Sequence, residues 1–143
     1  TYFKGVNYLP PETPPFEKHF YQGRDSDIKG SIVREITQDD SGNLWIGTED
    51  EGINMYDISS KKFSHFPADG KPGSISKPNI HGLLVHKDKL WIGHFNNGVD
   101  IFDIKTKKVI KNYSTSNSNL SSNFVVTIHR TKDDKILLGT IFG

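Results

Sequence analysis

Cysteine is absent from the 143 residues, which excludes disulfides and thiolate-bound metal. Long apolar runs are also missing: nothing approaches the ~20 consecutive apolar residues of a bilayer-spanning helix, and no signal-peptide pattern is present. Methionine occurs once, and no Ala-rich or Leu-rich segment offers an amphipathic helix. Neither sign of charge is in excess, with 18 Lys and Arg against 17 Asp and Glu, net +1. A surface for nucleic acid or anionic lipid would need a basic surplus, so no nucleic-acid partner is expected. The six histidines form no pair at metal-ligand spacing. There is no activated Ser or Cys motif and no Gly-rich phosphate loop. No cofactor and no metal are therefore expected, and no catalytic residue is assigned.

What is present points to short strands. Hydrophobic residues make up only 34% of the chain, yet 11% are aromatic and 13 are Gly. That balance suits strands and turns better than long helices. Leu44-Trp45-Ile46-Gly47-Thr48 returns as Leu90-Trp91-Ile92-Gly93-His94, and again as Ile136-Leu137-Leu138-Gly139-Thr140. Trp45 to Trp91 and Trp91 to Leu137 are steps of 46 residues each, and Gly52 to Gly98, Tyr56 to Phe102, Asp57 to Asp103 and Lys62 to Lys108 keep the same period. Within a repeat, strands are predicted over 32–36, which has a period of two, over 44–48, apolar on both faces at Trp45 and Ile46, and over 53–57 and 62–66, separated by turn clusters such as Asp39-Asp40-Ser41-Gly42-Asn43. Four antiparallel strands at a period of ~40–50 residues describe a β-propeller blade. The predicted fold class is all-β, a β-propeller segment of four-stranded antiparallel blades amounting to about three blades.

The blades divide as 1–30 (second half of a blade and a connection), 31–78, 79–122 and 123–143 (first half of a blade). Thr1 to Tyr8 resembles Thr48 to Tyr56, and Pro10, Pro11, Pro14 and Pro15 exclude helix and central strand just after it. In this alignment Ile36, Leu84 and Ile128 correspond, with a register one residue different as the alternative for this hairpin, and His81 stands where Val33 and Val125 stand. The Gly after each Trp-Ile pair predicts close approach of a neighbouring sheet, and the two Trp residues are expected in the core. Complementary half-blades at the two ends lead to two expectations: a fragment of a longer propeller, or homo-oligomers in which strands from two copies complete a blade.

Residues 36–48, Ile-Thr-Gln-Asp-Asp-Ser-Gly-Asn-Leu-Trp-Ile-Gly-Thr, followed by Gly52-Ile53-Asn54-Met55-Tyr56-Asp57, resemble a two-component regulator propeller repeat. Asn79 to Asp103 follows the same pattern, Asn123 to Thr140 its first half and Thr1 to Tyr8 its second. The resemblance implies the periplasmic sensor region of a hybrid two-component system of gut Bacteroidetes. Such sensors respond to oligosaccharides and carry a transmembrane helix and a histidine kinase elsewhere in the protein. It therefore implies a periplasmic, non-catalytic segment, tied to the membrane only through parts outside this sequence, with an oligosaccharide as ligand. A glycan-cleaving enzyme using a carboxylate pair such as Glu35 and Asp50, or a pure interaction scaffold, are the alternatives.

Function tends to sit on loops held by a rigid scaffold. The loops after each Trp-Ile-Gly string share their end residues and differ in the middle, and sugar sites combine aromatic faces with polar groups. The candidate ligand-binding residues are Tyr2, Phe3, Glu49, Asp50, His94, Phe95 and Asn96 on these loops, with His81 on an innermost strand. Asp39 to Asn43 clusters carboxylates and carbonyls but lacks the Glu that closes an EF-hand, so it is expected to be a hairpin turn held by side-chain to backbone bonds. Lys61-Lys62 and Lys105 to Lys108 are expected as solvated hairpin tips.

Overall fold

The computed structural model of the chain describes residues 6–8, 17–24 and 26–141. Among the described residues twelve strands form four antiparallel sheets: β1 (Val6–Tyr8) with β2 (Glu17–His19), β3 (Val33–Gln38) through β6 (Lys62–Phe66), β7 (Ile80–His86) through β10 (Lys108–Tyr113), and β11 (Val125–Arg130) with β12 (Ile136–Thr140). In the two complete sheets, β4 is Leu44–Thr48 and β5 Ile53–Asp57; β8 is Lys89–His94 and β9 Val99–Asp103. Each is a meander, β3-β4-β5-β6 and β7-β8-β9-β10 in spatial order. These are propeller blades, and no helix among the described residues is long and apolar enough to cross a membrane.

The repeated string packs the blades. Trp45 is fully buried and meets Phe66 at 5.7 Å and Phe102 at 5.6 Å, ring centre to ring centre, so it joins two blades. Ile53, Met55, Ile75, Ile80, Leu83, Leu90 and Ile92 complete that core. Val99, Ile101, Val125 and Ile128 form the next one, with Trp91 packed against it. Apolar area removed from water at about 25 cal/mol per Å2 is the main favourable contribution here. Alternation along each central strand supplies one face to each core.

The glycines of the string are required by crowding. A Cβ on Gly47 would lie 2.6 Å from Ile80 Cγ2 of the next blade, and one on Gly93 would lie 3.0 Å from Val125 Cγ1 and 3.1 Å from the Val125 carbonyl oxygen. The wedge closes at these points.

One register differs from the alignment. Val33, Ile80 and Val125 lie opposite Thr48, His94 and Thr140, but Glu35, Gly82 and Thr127 lie opposite Gly47, Gly93 and Gly139. Every first strand thus carries one extra residue. Arg34, His81 and Val126 occupy this bulge, so His81 corresponds to Arg34 and Val126 rather than to Val33 and Val125. Likewise Leu83, not Leu84, corresponds to Ile36 and Ile128, since these three lie opposite Ile46, Ile92 and Leu138. A bulge interrupts strict alternation, and a period-two reading passes over it.

The Asp39 turn is held as expected. Asp39 Oδ1 accepts the Ser41 and Asn43 backbone N–H groups at 3.0 and 2.9 Å, and Oδ2 accepts the Asn43 amide and the Trp45 indole N–H at 3.2 and 2.9 Å. Burial alone would raise this carboxyl, but the four donors hold it below its ordinary value. The first hairpin of the blade therefore also orients the core Trp.

Gly47→Ala is expected to destabilise the protein by about 1–3 kcal/mol, the usual cost of overpacking, as read from the midpoint of a urea unfolding curve. An unchanged midpoint would mean that the blades do not close on this residue.

Candidate ligand-binding site

The bulges lie at the end of each first strand that adjoins the loop after the second. Glu49 N–H donates to the Ile32 carbonyl at 3.0 Å and Phe95 N–H to the Asn79 carbonyl at 3.2 Å, so each loop begins beside the start of its own first strand. Gly52 N–H then donates to the Pro78 carbonyl at 3.0 Å, and Gly98 N–H to the Asn123 carbonyl at 2.9 Å, latching each loop to the next blade. Both glycines have positive φ, 84° and 70°, and a Cβ on Gly98 would collide with the Tyr113 carbonyl.

A patch forms where these loops meet the bulges. Arg34 Nη1 lies 3.0 Å from Glu49 Oε1, and Arg34 Nη2 lies 2.9 Å from His81 Nδ1, so one guanidinium spans the junction between two blades. The His81 ring centre is 5.7 Å from Phe95 and 4.9 Å from Phe124, and those two phenyl rings are 4.5 Å apart. Phe95 is 46% exposed although it stacks in this group. Burial lowers the His81 pKa, Arg34 lowers it further and Glu49 acts in the opposite sense. Burial and Arg34 thus favour the neutral imidazole.

Of the residues singled out in the sequence, Glu49, His81 and Phe95 come together. Asn96 is exposed on the same loop as Phe95. Asp50 instead holds the connection before β3: its carboxylate accepts the Ser31 backbone N–H at 3.0 and 3.1 Å and the Ser31 hydroxyl. His94 is fully buried in the wall, with Nε2 2.9 Å from Asp100 Oδ2. Tyr2 and Phe3 lie outside the described residues. Arg34 and Phe124 belong to the patch and were not singled out. Among the described residues no group of three or more His, Asp or Glu could hold a metal ion. A separate cleft of about 260 Å3, lined by Lys18, Arg24, Lys61, Lys62 and Phe63 among others, lies at the rim between β2 and β6, so the Lys61-Lys62 tip borders a concavity.

The wall has its own repeated polar device. Asn54 accepts from the Lys29 backbone N–H at 2.8 Å and donates to the Lys29 carbonyl at 2.9 Å. One period later, Asp100 accepts the Ser76 N–H and hydroxyl, both at 2.7 Å, and the Asn112 amide at 2.8 Å. Both clamp the connection that leads into their blade. Burial opposes ionisation of Asp100, yet His94 and the Ser76 donors win, and its pKa is lowered. A carboxyl depressed on folding stabilises the protein above its ordinary value of 3.8, and that contribution is lost as pH falls through the folded pKa.

The chain resembles known proteins at this point. Residues 27–50 match the family model for the two component regulator propeller. The match covers β3 and β4 of the first blade. No curated protein matches. Among solved structures, the extracellular domain of BT3049 from B. thetaiotaomicron, assigned as a hybrid two component system, aligns with TM-score 0.83 at 22% identity, over 96% of this chain and 20% of that one. The extracellular domain of BT4673 from the same organism aligns with TM-score 0.73 at 22% identity, over 96% of this chain and 17% of that one. PorZ, a surface component of the type-IX secretion system of Porphyromonas gingivalis, aligns with TM-score 0.64 at 16% identity, over 96% and 18%. The chain spans about a fifth of the length of these structures, and the likeness is one of fold.

Asp100→Asn keeps a clamp of the kind Asn54 provides while removing the charge. The variant is expected to be less stable at pH 7 but to lose less stability than the parent as pH falls below about 3.8, followed by urea unfolding at stepped pH. Equal acid losses in both would show that Asp100 does not carry the charge effect.

Proposed function

We propose that this segment belongs to the extracytoplasmic sensor region of a two-component signalling protein and contributes a binding surface for an oligosaccharide. The regulator propeller repeat supports the sensor role. The observation that carries the ligand reading is the patch of Arg34, Glu49, His81, Phe95 and Phe124. An exposed phenyl face takes the apolar C–H face of a sugar ring. The ion pair and imidazole beside it meet hydroxyl groups, the usual division of labour in a small-molecule site. The two sides of the patch come from different blades, so a ligand seated on it bears on the blade junction. Binding that favours one arrangement of that junction would shift the equilibrium between signalling states by its differential affinity. The reading is of a periplasmic segment that binds and does not catalyse, with kinase activity supplied elsewhere in the protein.

A calorimetric screen of the complete extracytoplasmic region against oligosaccharide panels tests this. At least one neutral oligosaccharide is expected to bind, and Phe95→Ala to weaken that binding about tenfold, equivalent to ~1.4 kcal/mol. Binding unaffected by Phe95→Ala would place the ligand elsewhere; no binding to any panel would remove the carbohydrate reading.

A further inference from the structure

Arg34 holds a position unlike that of its counterparts. The same bulge carries His81 in the second blade and Val126 in the third, and the residue after the second strand changes in step, from Glu49 to Phe95 to Ile141. One structural position is thus ionic in the first blade, aromatic in the second and aliphatic in the third. The first two are joined through Arg34. Its Nη1 is taken by Glu49 at 3.0 Å and its Nη2 by His81 at 2.9 Å.

That contact decides the state of the imidazole. A guanidinium has donors only, so His81 Nδ1 must accept, and the ring proton of a neutral imidazole then resides on Nε2. Protonating Nδ1 would place two cations 2.9 Å apart. His81 Nε2 makes no hydrogen bond to a described residue, and it is not among the enclosed polar atoms that lack one. It therefore remains an available donor beside Phe95 and Phe124. The titratable groups facing His81 are Arg34 from β3 and Glu49 from the loop after β4; Phe95 and Phe124 face it from the other side and carry no charge.

We infer that Arg34 is the positioning residue of the binding surface: it locks His81 as the neutral tautomer with its proton on Nε2, and the site takes an uncharged ligand group with an acceptor oxygen, such as a sugar hydroxyl or ring oxygen. The ligand class rests on the sugar-binding reading above; the tautomer lock does not. Arg34 does not contact the ligand as a charge, because Glu49 already neutralises it. A uronic acid or sulfated sugar would have to compete with that carboxylate, so neutral sugars are favoured.

The test needs no ligand for its first part. In the extracytoplasmic region labelled with 15N-histidine, the His81 nitrogens are expected to report the Nε2–H tautomer, and Arg34→Met to mix the tautomers and move the His81 titration upward. Glu49→Gln, which removes the opposing charge and leaves the Arg34 contact, is expected to keep the tautomer and move the titration downward. A merely structural Arg34 would not give shifts of opposite sign. An Nδ1–H tautomer in the parent, or a titration that ignores both substitutions, overturns the lock. If Arg34→Met does not fold, Glu49→Gln and the parent tautomer still decide it. Binding on an array of neutral and uronate oligosaccharides then tests the ligand class: preference for neutral members supports it, and preference for uronates overturns it while leaving the lock standing. An array with no binder counts against the sugar-binding reading and removes the ligand class with it, and the nitrogen spectra still decide the lock.

Discussion

The molecule depends on one steric constraint, the absence of a side chain at the fourth position of the Leu-Trp-Ile-Gly string. Gly47 and Gly93 let the innermost strand of the next blade reach the second strand of the preceding one, with Ile80 and Val125 seated where a Cβ would stand. Protein interiors are close-packed and have little room to absorb an added methyl group. Away from these glycines larger residues fill the space between sheets: Trp45, Phe66 and Phe102 in one junction, Trp91, Leu84 and Tyr113 in the next. Small residues where the sheets touch and aromatics where they stand apart are one solution to the geometry of a wedge.

Polar groups then fix what packing alone leaves free. The long connections carry few apolar residues and would be costly to order by burial. Asn54 and Asp100 bind them through backbone and hydroxyl groups, while Gly52 and Gly98 latch the loops to the following blade. Paired polar groups in low dielectric hold geometry well because leaving either partner unsatisfied is expensive. The result is a frame whose exposed variation includes the bulge residue and the loop beside it. Arg34, Glu49, His81 and Phe95 owe their mutual placement to that frame.

The repeat, the strand order and the core were legible in the sequence because they follow a fixed period. Trp45, Gly47, Ile53 and Tyr56 all have partners 46 residues on, and the observed strands 44–48, 53–57 and 62–66 have the expected bounds. The bulge was not legible. It adds one residue to the first strand without disturbing the hydrophobic pattern enough to be seen, so His81 was matched to Val33 instead of Arg34. Arg34 itself looked like an ordinary polar strand residue, since its partner lies 47 residues away on another blade. His94 and Asp50 were plausible loop residues whose roles depend on Asp100 and Ser31, contacts that no local pattern announces. Phe124, just before β11, reads as part of a strand, and only the approach of Phe95 to 4.5 Å reveals it as part of the patch. Position in a repeat is readable from spacing, whereas partnership across blades needs the fold.

The central claim is that a rigid wedge-packed frame presents one ligand-responsive face, formed by bulges and the loops beside them. Hydrogen–deuterium exchange of the extracytoplasmic region, with and without an activating oligosaccharide mixture, tests it most directly. The account predicts added protection confined to backbone around residues 32–34, 49–52, 79–82, 95–98 and 124–126, with the opposite hairpins at 39–43, 87–88 and 131–135 unchanged. Protection centred on those opposite hairpins, or on the rim cleft beside Lys18 and Lys62, would contradict it.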